Sequence, residues 1–304
     1  MELFAIVLAL IALFIIIAIG YLARIYGILN GDRVHFISHI LVNVALPAIS
    51  ITSLQIPENA TTMNIVDHML VVAVIYYIAA FIIGTLIFRF IPSTPKDKGV
   101  FQFMLVFPNT LFMGLPVASA VFGQSSLFYV ILFNVPFYLL VFTLGVWMLN
   151  RGRSGKIDIK VLLSPGLVAA IVGLIFFFTK FTIPVPVETG LDIIGSATTP
   201  LAMLVVGAML ATLPLKQLAG DWRVYLTVAF RLLVFPIILF LILKPFISDK
   251  ILVGVAVLLV GMPVAANSVL LCEEYDVDAT LASQGVFIST VLCLITIPLL
   301  ELLL

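Results

Sequence analysis

Ten apolar stretches, each about 20 residues long, run through the chain and are separated by short polar segments. A stretch of that length crosses the hydrocarbon core of a bilayer as an α-helix, because a helix satisfies its own backbone N–H and C=O groups. We therefore predict an all-α polytopic membrane protein with ten transmembrane helices in one integral membrane unit. The predicted spans cover residues 3–22, 34–54, 66–90, 99–121, 126–149, 161–180, 188–212, 222–246, 250–272 and 279–303.

The composition excludes several other classes of protein. Hydrophobic residues make up 63% of the 304 residues and charged residues 10%, with 15 basic and 15 acidic side chains. A chain without net charge or a basic cluster lacks the electrostatic footprint of a nucleic-acid-binding protein. The motifs of zinc proteases, serine hydrolases and P-loop nucleotide binding are absent from the sequence. We predict a non-enzyme without a cofactor, embedded in the lipid bilayer and binding no nucleic acid.

Basic residues are divided unequally between the two sides of the predicted helices. The odd-numbered loops contain eleven Lys and Arg residues, and the even-numbered loops contain three. Lys and Arg in short loops are retained on the cytoplasmic side. We therefore predict a multi-pass protein of the plasma membrane with both chain termini outside.

The polar segment 150–160 divides the chain into two groups of five spans, residues 1–149 and residues 161–304. Because five is odd, the second group enters the membrane from the opposite side, so a duplicated unit forms an inverted repeat. Two pairs of helix-breaking residues share a separation of 153 positions: Gly20 with Gly173, and Pro47 with Pro200. We predict two inverted five-helix repeats joined by a short cytoplasmic linker.

Nearly the same five residues interrupt spans four and nine. Proline removes a backbone donor and glycine loosens a helix, so the freed N–H and C=O groups need protein, water or a ligand as partners. Paired interruptions in two halves of a membrane protein point to a transporter's binding site. We predict that both helices are broken and act as crossover or gating elements at Gly114, Pro116, Gly261 and Pro263. The segments are Gly114-Leu115-Pro116-Val117-Ala118 and Gly261-Met262-Pro263-Val264-Ala265.

Polar side chains lie beside both breaks. Asn109 and Thr110 precede the first break, and Asn267 and Ser268 follow the second. A helix broken in mid-membrane exposes an N-terminus with roughly half a positive charge, which attracts anions. An asparagine side chain offers both a donor and an acceptor. We expect these four residues to contact a substrate or an ion, and the alternative is that they only cap the freed backbone groups.

Other polar residues in the spans have two interpretations each. Asn134 either lines a site or bonds to a neighbouring helix. Arg231, deep in span eight, either snorkels or binds a carbonyl group, or else attracts an anionic substrate. Asp67 is either solvated at the outer interface or takes part in proton coupling. His35 and His39 lie one helical turn apart, but no third ligand stands near them, so we predict no metal site.

The ten-residue segment 107–116, with the sequence FPNTLFMGLP, resembles the fourth-helix motif of the auxin efflux carrier family. That family includes plant PIN-type carriers and prokaryotic malonate-type carriers, and its fold is similar to that of bile acid:sodium symporters. A second similarity covers residues 274–283. The resemblance implies scaffold and transport subdomains, each drawn from both repeats, with helices four and nine crossing at their broken prolines. It also implies an elevator-type motion and a homodimer.

The same resemblance implies roles for individual residues. Asn109 corresponds to the asparagine that contacts the substrate carboxylate. Asn134 and Ser50 correspond to site-facing residues of helices five and two. Pro116 and Pro263 correspond to the crossover prolines.

Together these features predict a secondary transporter of small organic anions, either auxin-like carboxylates or dicarboxylates, working by elevator-type alternating access across the plasma membrane. The substrate anion is its expected partner. Because the two breaks contain no carboxylate, a coupling cation such as Na⁺ would rest on neutral oxygens, and both uniport and coupling to Na⁺ or H⁺ stay open. The alternative function is a transport-inactive membrane sensor or partner-binding protein on the same fold.

Overall fold

The computed structural model describes residues 3–56, 59–150, 164–212, 221–275 and 277–303. Of the predicted linker 150–160, only Asn150 lies within these ranges. The regular elements in the described ranges are helices, which confirms the all-α class. They are α1 Leu3–Ile25, α2 Gly31–Ile40, α3 Leu46–Ser53, α4 Ala60–Phe90, α5 Pro95–Val106, α6 Leu115–Phe122, α7 Ser126–Leu140, α8 Val146–Leu149, α9 Pro165–Thr179, α10 Val185–Ser196, α11 Thr198–Leu210, α12 Trp222–Ala229, α13 Phe235–Leu243, α14 Lys250–Val260, α15 Asn267–Glu274 and α16 Thr280–Glu301.

Within the described ranges, seven helical segments are long and apolar enough to cross a membrane. Three of them join two α-helices through a wider π-helical turn, in which each N–H bonds to the carbonyl five residues back. These π turns are Leu41–Ala45, Val141–Gly145 and Phe230–Val234, and a further π turn, Thr110–Gly114, begins a shorter helix. Shorter apolar helices cover Thr110–Phe122, Pro165–Thr179 and Lys250–Val260. The chain is thus a multi-pass membrane protein by the length and composition of its helices.

Several helices begin at a side chain that caps their free N–H groups. The Asn30 side chain accepts from the N–H of Arg33 at 2.9 Å at the start of α2. The Asp249 side chain does the same for the first turn of α14. Thr94 caps α5, where Pro95 occupies the first helical position and needs no N–H partner.

The described residues form two compact units, and each unit draws on both halves of the sequence. Unit one comprises the described residues within Met1–Val71, Leu115–Leu139 and Ile159–Thr212. In it α1 packs along α11 and α3 packs on α9. Glycine allows the close approach of α1 to α11, because a Cβ on Gly207 would overlap the carbonyl oxygen of Ile17 and lie 2.9 Å from the N of Tyr21.

Unit two comprises the described residues within Val72–Gly114, Leu140–Asp158 and Leu213–Leu304. Its centre is α14, which is buried on every side from Leu252 to Val260. A helix that is apolar all round and buried all round is typical of the core of a bundle. The rings of Phe88 and Phe101 stack at 5.1 Å between centroids and join α4 to α5.

The structure corrects the predicted position of the first break. The interruption in predicted span four lies at residues 107–109, before the π turn, and not at Gly114 and Pro116. Pro116 lies two residues beyond the π turn, inside the continuous helical segment Thr110–Phe122, which it does not interrupt. A wider turn of this kind accommodates the missing N–H of a proline. The second break covers residues 261–266 and includes Gly261 and Pro263, as predicted. A further interruption, which we did not predict, separates α10 from α11 at Ala197.

Candidate functional site

The two broken helices meet in unit two and satisfy each other's backbone groups. Beyond the ends of α5 and α14, Pro108 pairs with Val264 in an antiparallel bridge. Neither Pro108 nor Pro263 has an N–H group, so Asn109 and Ala265 supply the donors. Two backbone hydrogen bonds join the segments: from the N–H of Asn109 to the carbonyl of Pro263 at 2.8 Å, and from the N–H of Ala265 to the carbonyl of Phe107 at 3.1 Å. We call this region the crossing.

Asn109 is held at the crossing with its side-chain oxygen already in use. Its Oδ1 accepts from the N–H of Phe112 at 3.2 Å, and its backbone carbonyl accepts from the N–H of Gly114 at 2.9 Å. Since only the oxygen end of a side-chain amide accepts a hydrogen bond, this contact fixes which end of the amide points to the π turn. The Nδ2 of Asn109 makes no hydrogen bond to any described part of the chain, although the side chain is buried. Two N–H donors are therefore left for another acceptor.

Arg231 supplies the partners for the carbonyl ends of both broken helices. Its side chain emerges from the π turn Phe230–Val234 and is fully buried. Nη1 donates to the carbonyl of Leu105 at 2.5 Å, near the end of α5. Nη2 donates to the carbonyl of Val260 at 3.0 Å, and Nε to that of Met262 at 3.2 Å, at the end of α14. The structure thus favours the carbonyl-binding interpretation of this arginine.

Two hydroxyl groups complete the network. Tyr76, on α4, accepts from Nη1 of Arg231 at 2.6 Å and donates to the carbonyl of Val106 at 3.1 Å. Ser289, on α16, accepts from the N–H of Val264 at 3.0 Å. Each hydroxyl forms a hydrogen bond with a backbone group that has lost its helical partner at a break. A buried backbone group without any partner would lower the stability of the fold.

The helix ends give the crossing a definite pattern of charge. Each helix C-terminus carries roughly half a negative charge, so α5 and α14 together bring about one unit. The guanidinium of Arg231 brings one positive charge, and no carboxylate among the described residues bonds to it or forms an ion pair with it. The C-terminal ends are therefore balanced. The N-terminal ends that begin the helices after the breaks retain their partial positive charge.

Asn267 and Ser268 stand at the N-terminus of α15, directly after the second break. Asn267 is half-buried, whereas Ser268 is 1% exposed and its hydroxyl has no hydrogen-bond partner among the described residues.

Gly114 and Gly261 lie near the breaks, where neighbouring side chains pack closely against them. A Cβ on Gly114 would lie 2.7 Å from Cδ2 of Leu259.

Comparison with known proteins places the chain in a family of carriers. The family described as "membrane transport protein" matches residues 5–160 and 154–300. The chain belongs to that family, which contains the auxin efflux and PIN-like carriers. The resemblance carried by residues 107–116 is thereby confirmed.

Three relatives match nearly the full length of the chain. An uncharacterized transporter of Methanothermobacter thermautotrophicus is 26% identical over 291 residues, 94% of each chain. An uncharacterized transporter of Methanocaldococcus jannaschii is 27% identical over 299 residues, again 94% of each chain. A Rhizobium meliloti protein named "putative malonate transporter" is 24% identical over 294 residues, 93% of this chain and 90% of its own.

The remaining predicted substrate-contact and coupling residues belong to unit one. Ser50 is buried and donates to the carbonyl of Leu46 at 2.7 Å, in its own helix. Asn134 is buried and donates from Nδ2 to the carbonyl of Val130 at 2.8 Å. Asp67 is exposed on α4. The predicted roles of these three residues in substrate contact or coupling stay predictions.

Unit one also contains a cavity of about 1100 Å³. Pro116 forms part of its wall, so the residue predicted as a crossover proline borders open space. Ser119, Ser196 and Thr199 contribute hydroxyl groups, and Asp192 is the charged side chain among the described lining residues.

Two buried polar residues were not predicted from the sequence. Tyr76 was absent from the predicted site, although a tyrosine deep in an apolar span needs a partner for its hydroxyl. Gln102, on α5, is fully buried and donates from Nε2 to Oγ1 of Thr85 at 2.5 Å and to the carbonyl of Phe81 at 3.3 Å. The signal for both was a hydrogen-bonding side chain among apolar neighbours.

Proposed function

We propose that this protein is a secondary transporter that moves small organic anions, with dicarboxylates as the first class to test, across the plasma membrane. The observation that carries the proposal is the side chain of Asn109. Its oxygen is held by the N–H of Phe112, and its Nδ2 presents two donors at the crossing. A carboxylate is an acceptor-only group and forms strong hydrogen bonds with such donors.

The charge pattern at the crossing supports an anion over a cation. Arg231 balances the C-terminal ends of α5 and α14, so the partial positive charge of the N-terminal ends is not offset. The buried hydroxyl of Ser268 stands at one of those N-terminal ends and adds a further donor. We propose Asn109, Thr110, Asn267 and Ser268 as substrate-binding residues.

The proposed architecture is ten spans in two inverted five-helix repeats, with both termini outside. The positions of the breaks support it, because Pro108 and Pro263 are separated by 155 positions, close to the 153 of the other two pairs. Packing in unit one has a matching pattern. Gly20 of α1 lies against Leu204 of α11, and Gly173 of α9 lies against Leu54, directly after α3.

Movement of one subdomain against the other, in an elevator-type cycle within a homodimer, completes the proposal. The hydrogen bonds between the two broken segments support such a cycle, because they allow the crossing to move as one rigid piece. The protein from Rhizobium meliloti supports malonate as the first substrate to test.

The direct test is uptake of radiolabelled malonate into proteoliposomes by the wild type and by Asn109→Asp. The aspartate keeps an oxygen for the N–H of Phe112, so the cap is retained, but it replaces both donors with negative charge. Two hydrogen bonds to a carboxylate are worth about 3 kcal/mol together, which corresponds to a loss of about 100-fold in kcat/KM.

Asn30→Asp is the matched control, because Asn30 is an exposed asparagine between predicted spans one and two, and its Oδ1 likewise accepts from a backbone N–H, that of Arg33. Its uptake should equal that of the wild type. Equal uptake by Asn109→Asp and the wild type would remove Asn109 from the site. Absence of uptake for malonate and for a panel of other mono- and dicarboxylates would refute the carrier function.

A further inference from the structure

The carbonyl oxygens that a coupling cation would need at the crossing are already engaged by a side chain. Cations such as Na⁺ are bound in proteins by oxygen ligands. The breaks free the carbonyls of Leu105, Val260 and Met262, and each of the three accepts a hydrogen bond from Arg231. The hydroxyl of Tyr76, another oxygen at this place, also accepts from Arg231.

The partial negative charge of the two helix C-termini at the crossing is also balanced already. A cation bound between two helix C-termini gains from their partial negative charges, which add up to about one unit. Arg231 already supplies one positive charge there, and it is fully buried with its donors on four acceptors. A second cation at the same oxygens would face a like charge at close range in a medium of low dielectric, which is strongly unfavourable.

We propose that Arg231 is a resident cation that takes the place of a transported coupling cation, so that substrate binding and transport need no Na⁺ or other metal cation. Arg231 is then a positioning residue, acting through the carbonyl ends that it holds and not through the substrate. The inference rests on the proposed carrier function, because it names the way in which that carrier is charged at its crossing.

The position of Arg231 on a neighbouring helix agrees with this role. The π turn Phe230–Val234 places the arginine opposite both α5 and α14, so one side chain bridges the two broken helices. A cation that dissociates in each transport cycle would release this bridge, whereas a covalently attached guanidinium retains it in every state.

The first measurement compares the cation dependence of the wild type in NaCl, KCl and choline chloride at equal ionic strength. Two readouts are taken: the melting temperature of the purified protein without substrate, and the initial rate of malonate uptake into proteoliposomes. We expect both to be the same in the three salts. A melting temperature that is several degrees higher in Na⁺, or an uptake rate that is severalfold higher in Na⁺, would overturn the inference.

The second measurement uses a variant that lacks the Arg231 side chain. Arg231→Ala frees three buried carbonyls and the hydroxyl of Tyr76, and the melting temperature should fall by about 5–15 °C. Millimolar guanidinium chloride, far below denaturing concentrations, should restore part of the loss, and Na⁺ should now stabilise the variant relative to choline. Arg231→Lys keeps the charge with fewer donors and should melt between the two.

Arg24→Ala is the control, because the Arg24 side chain makes one hydrogen bond, to the carbonyl of Leu29, and is half-buried. Guanidinium should not raise its melting temperature. If guanidinium and Na⁺ leave Arg231→Ala as unstable as choline does, the resident-cation role is refuted. Should Arg231→Ala fail to fold, the salt comparison of the wild type decides alone.

The two proposals fail in different ways. Malonate uptake that requires Na⁺ would support the carrier function and refute the resident cation. A melting temperature independent of Na⁺ in a protein that transports no carboxylate would refute the carrier function and leave Arg231 as a fixed cation of the crossing.

Discussion

Removal of the Tyr76 hydroxyl tests whether the crossing depends on its polar network. In Tyr76→Phe the ring stays in place and the hydroxyl is lost. That hydroxyl accepts from Nη1 of Arg231 at 2.6 Å and donates to the carbonyl of Val106 at 3.1 Å. The substitution therefore removes a hydrogen bond to a charged group and leaves a buried carbonyl without this donor.

The two losses set the expected magnitude. A hydrogen bond to a charged group contributes about 1.5–3 kcal/mol, and a buried carbonyl left without a partner costs about 1–3 kcal/mol. We expect the free energy of unfolding to fall by about 3 kcal/mol or more. At about 2–4 °C for each kcal/mol, the melting temperature should fall by about 6–12 °C.

Tyr138→Phe is the matched control for this prediction. Tyr138 is also buried in an apolar helix, but its hydroxyl has no hydrogen-bond partner among the described residues. Its removal should change the melting temperature by less than about 2 °C. The assay is thermal unfolding of both variants in the same detergent, followed by intrinsic fluorescence. Equal shifts for Tyr76→Phe and Tyr138→Phe would refute the network as a source of stability.

Two further predictions concern a glycine contact and an ion pair. In Gly207→Ala the new Cβ would overlap the backbone of Ile17, so the free energy of unfolding should fall by about 3 kcal/mol. Gly190 has open space around it, so in the control Gly190→Ala the free energy of unfolding should rise by about 0.5–1 kcal/mol. Equal melting temperatures of the two variants would contradict the close approach of α1 and α11. Side-chain hydrogen bonds from Arg223 hold the pKa of Asp221 below its ordinary value, so their stabilisation is present above about pH 4 and is lost as the pH falls through the lowered pKa. Asp221→Asn should melt with a flatter dependence on acid pH than the wild type, and identical acid profiles would show that the pair adds nothing.

The helices could be predicted from the sequence because apolar length is a direct physical requirement of the bilayer. The position of the first break could not. Both Pro108 and Pro116 interrupt an apolar run, but a membrane helix tolerates a proline where a wider π turn relieves the missing hydrogen bond. Pro116 follows such a turn inside the helical segment Thr110–Phe122, whereas Pro108 lies outside regular helix, after α5 has ended. The sequence shows the prolines but not which of them is accommodated within a helix.

The polar network at the crossing depends on contacts between distant parts of the chain. The depth of Arg231 in span eight indicated a special role, and carbonyl binding was one of its predicted interpretations. Its partners Leu105 and Val260 are recognisable only once α5 and α14 are known to end beside it. For the same reason the sequence could propose Asn109 as a site residue, but not that its oxygen is engaged and its nitrogen is left as the donor.

The measurement that tests the central claim most directly records the current on a solid-supported membrane, together with the pH inside the proteoliposomes, after rapid addition of malonate. The account predicts that the wild type responds in choline as well as in Na⁺ buffer, by inward movement of negative charge or, if protons accompany the anion, by a change of internal pH, and that Asn109→Asp gives neither response. A wild type without either response to any carboxylate tested, or an Asn109→Asp response equal to that of the wild type, would contradict the claim that organic anions cross the membrane at the crossing.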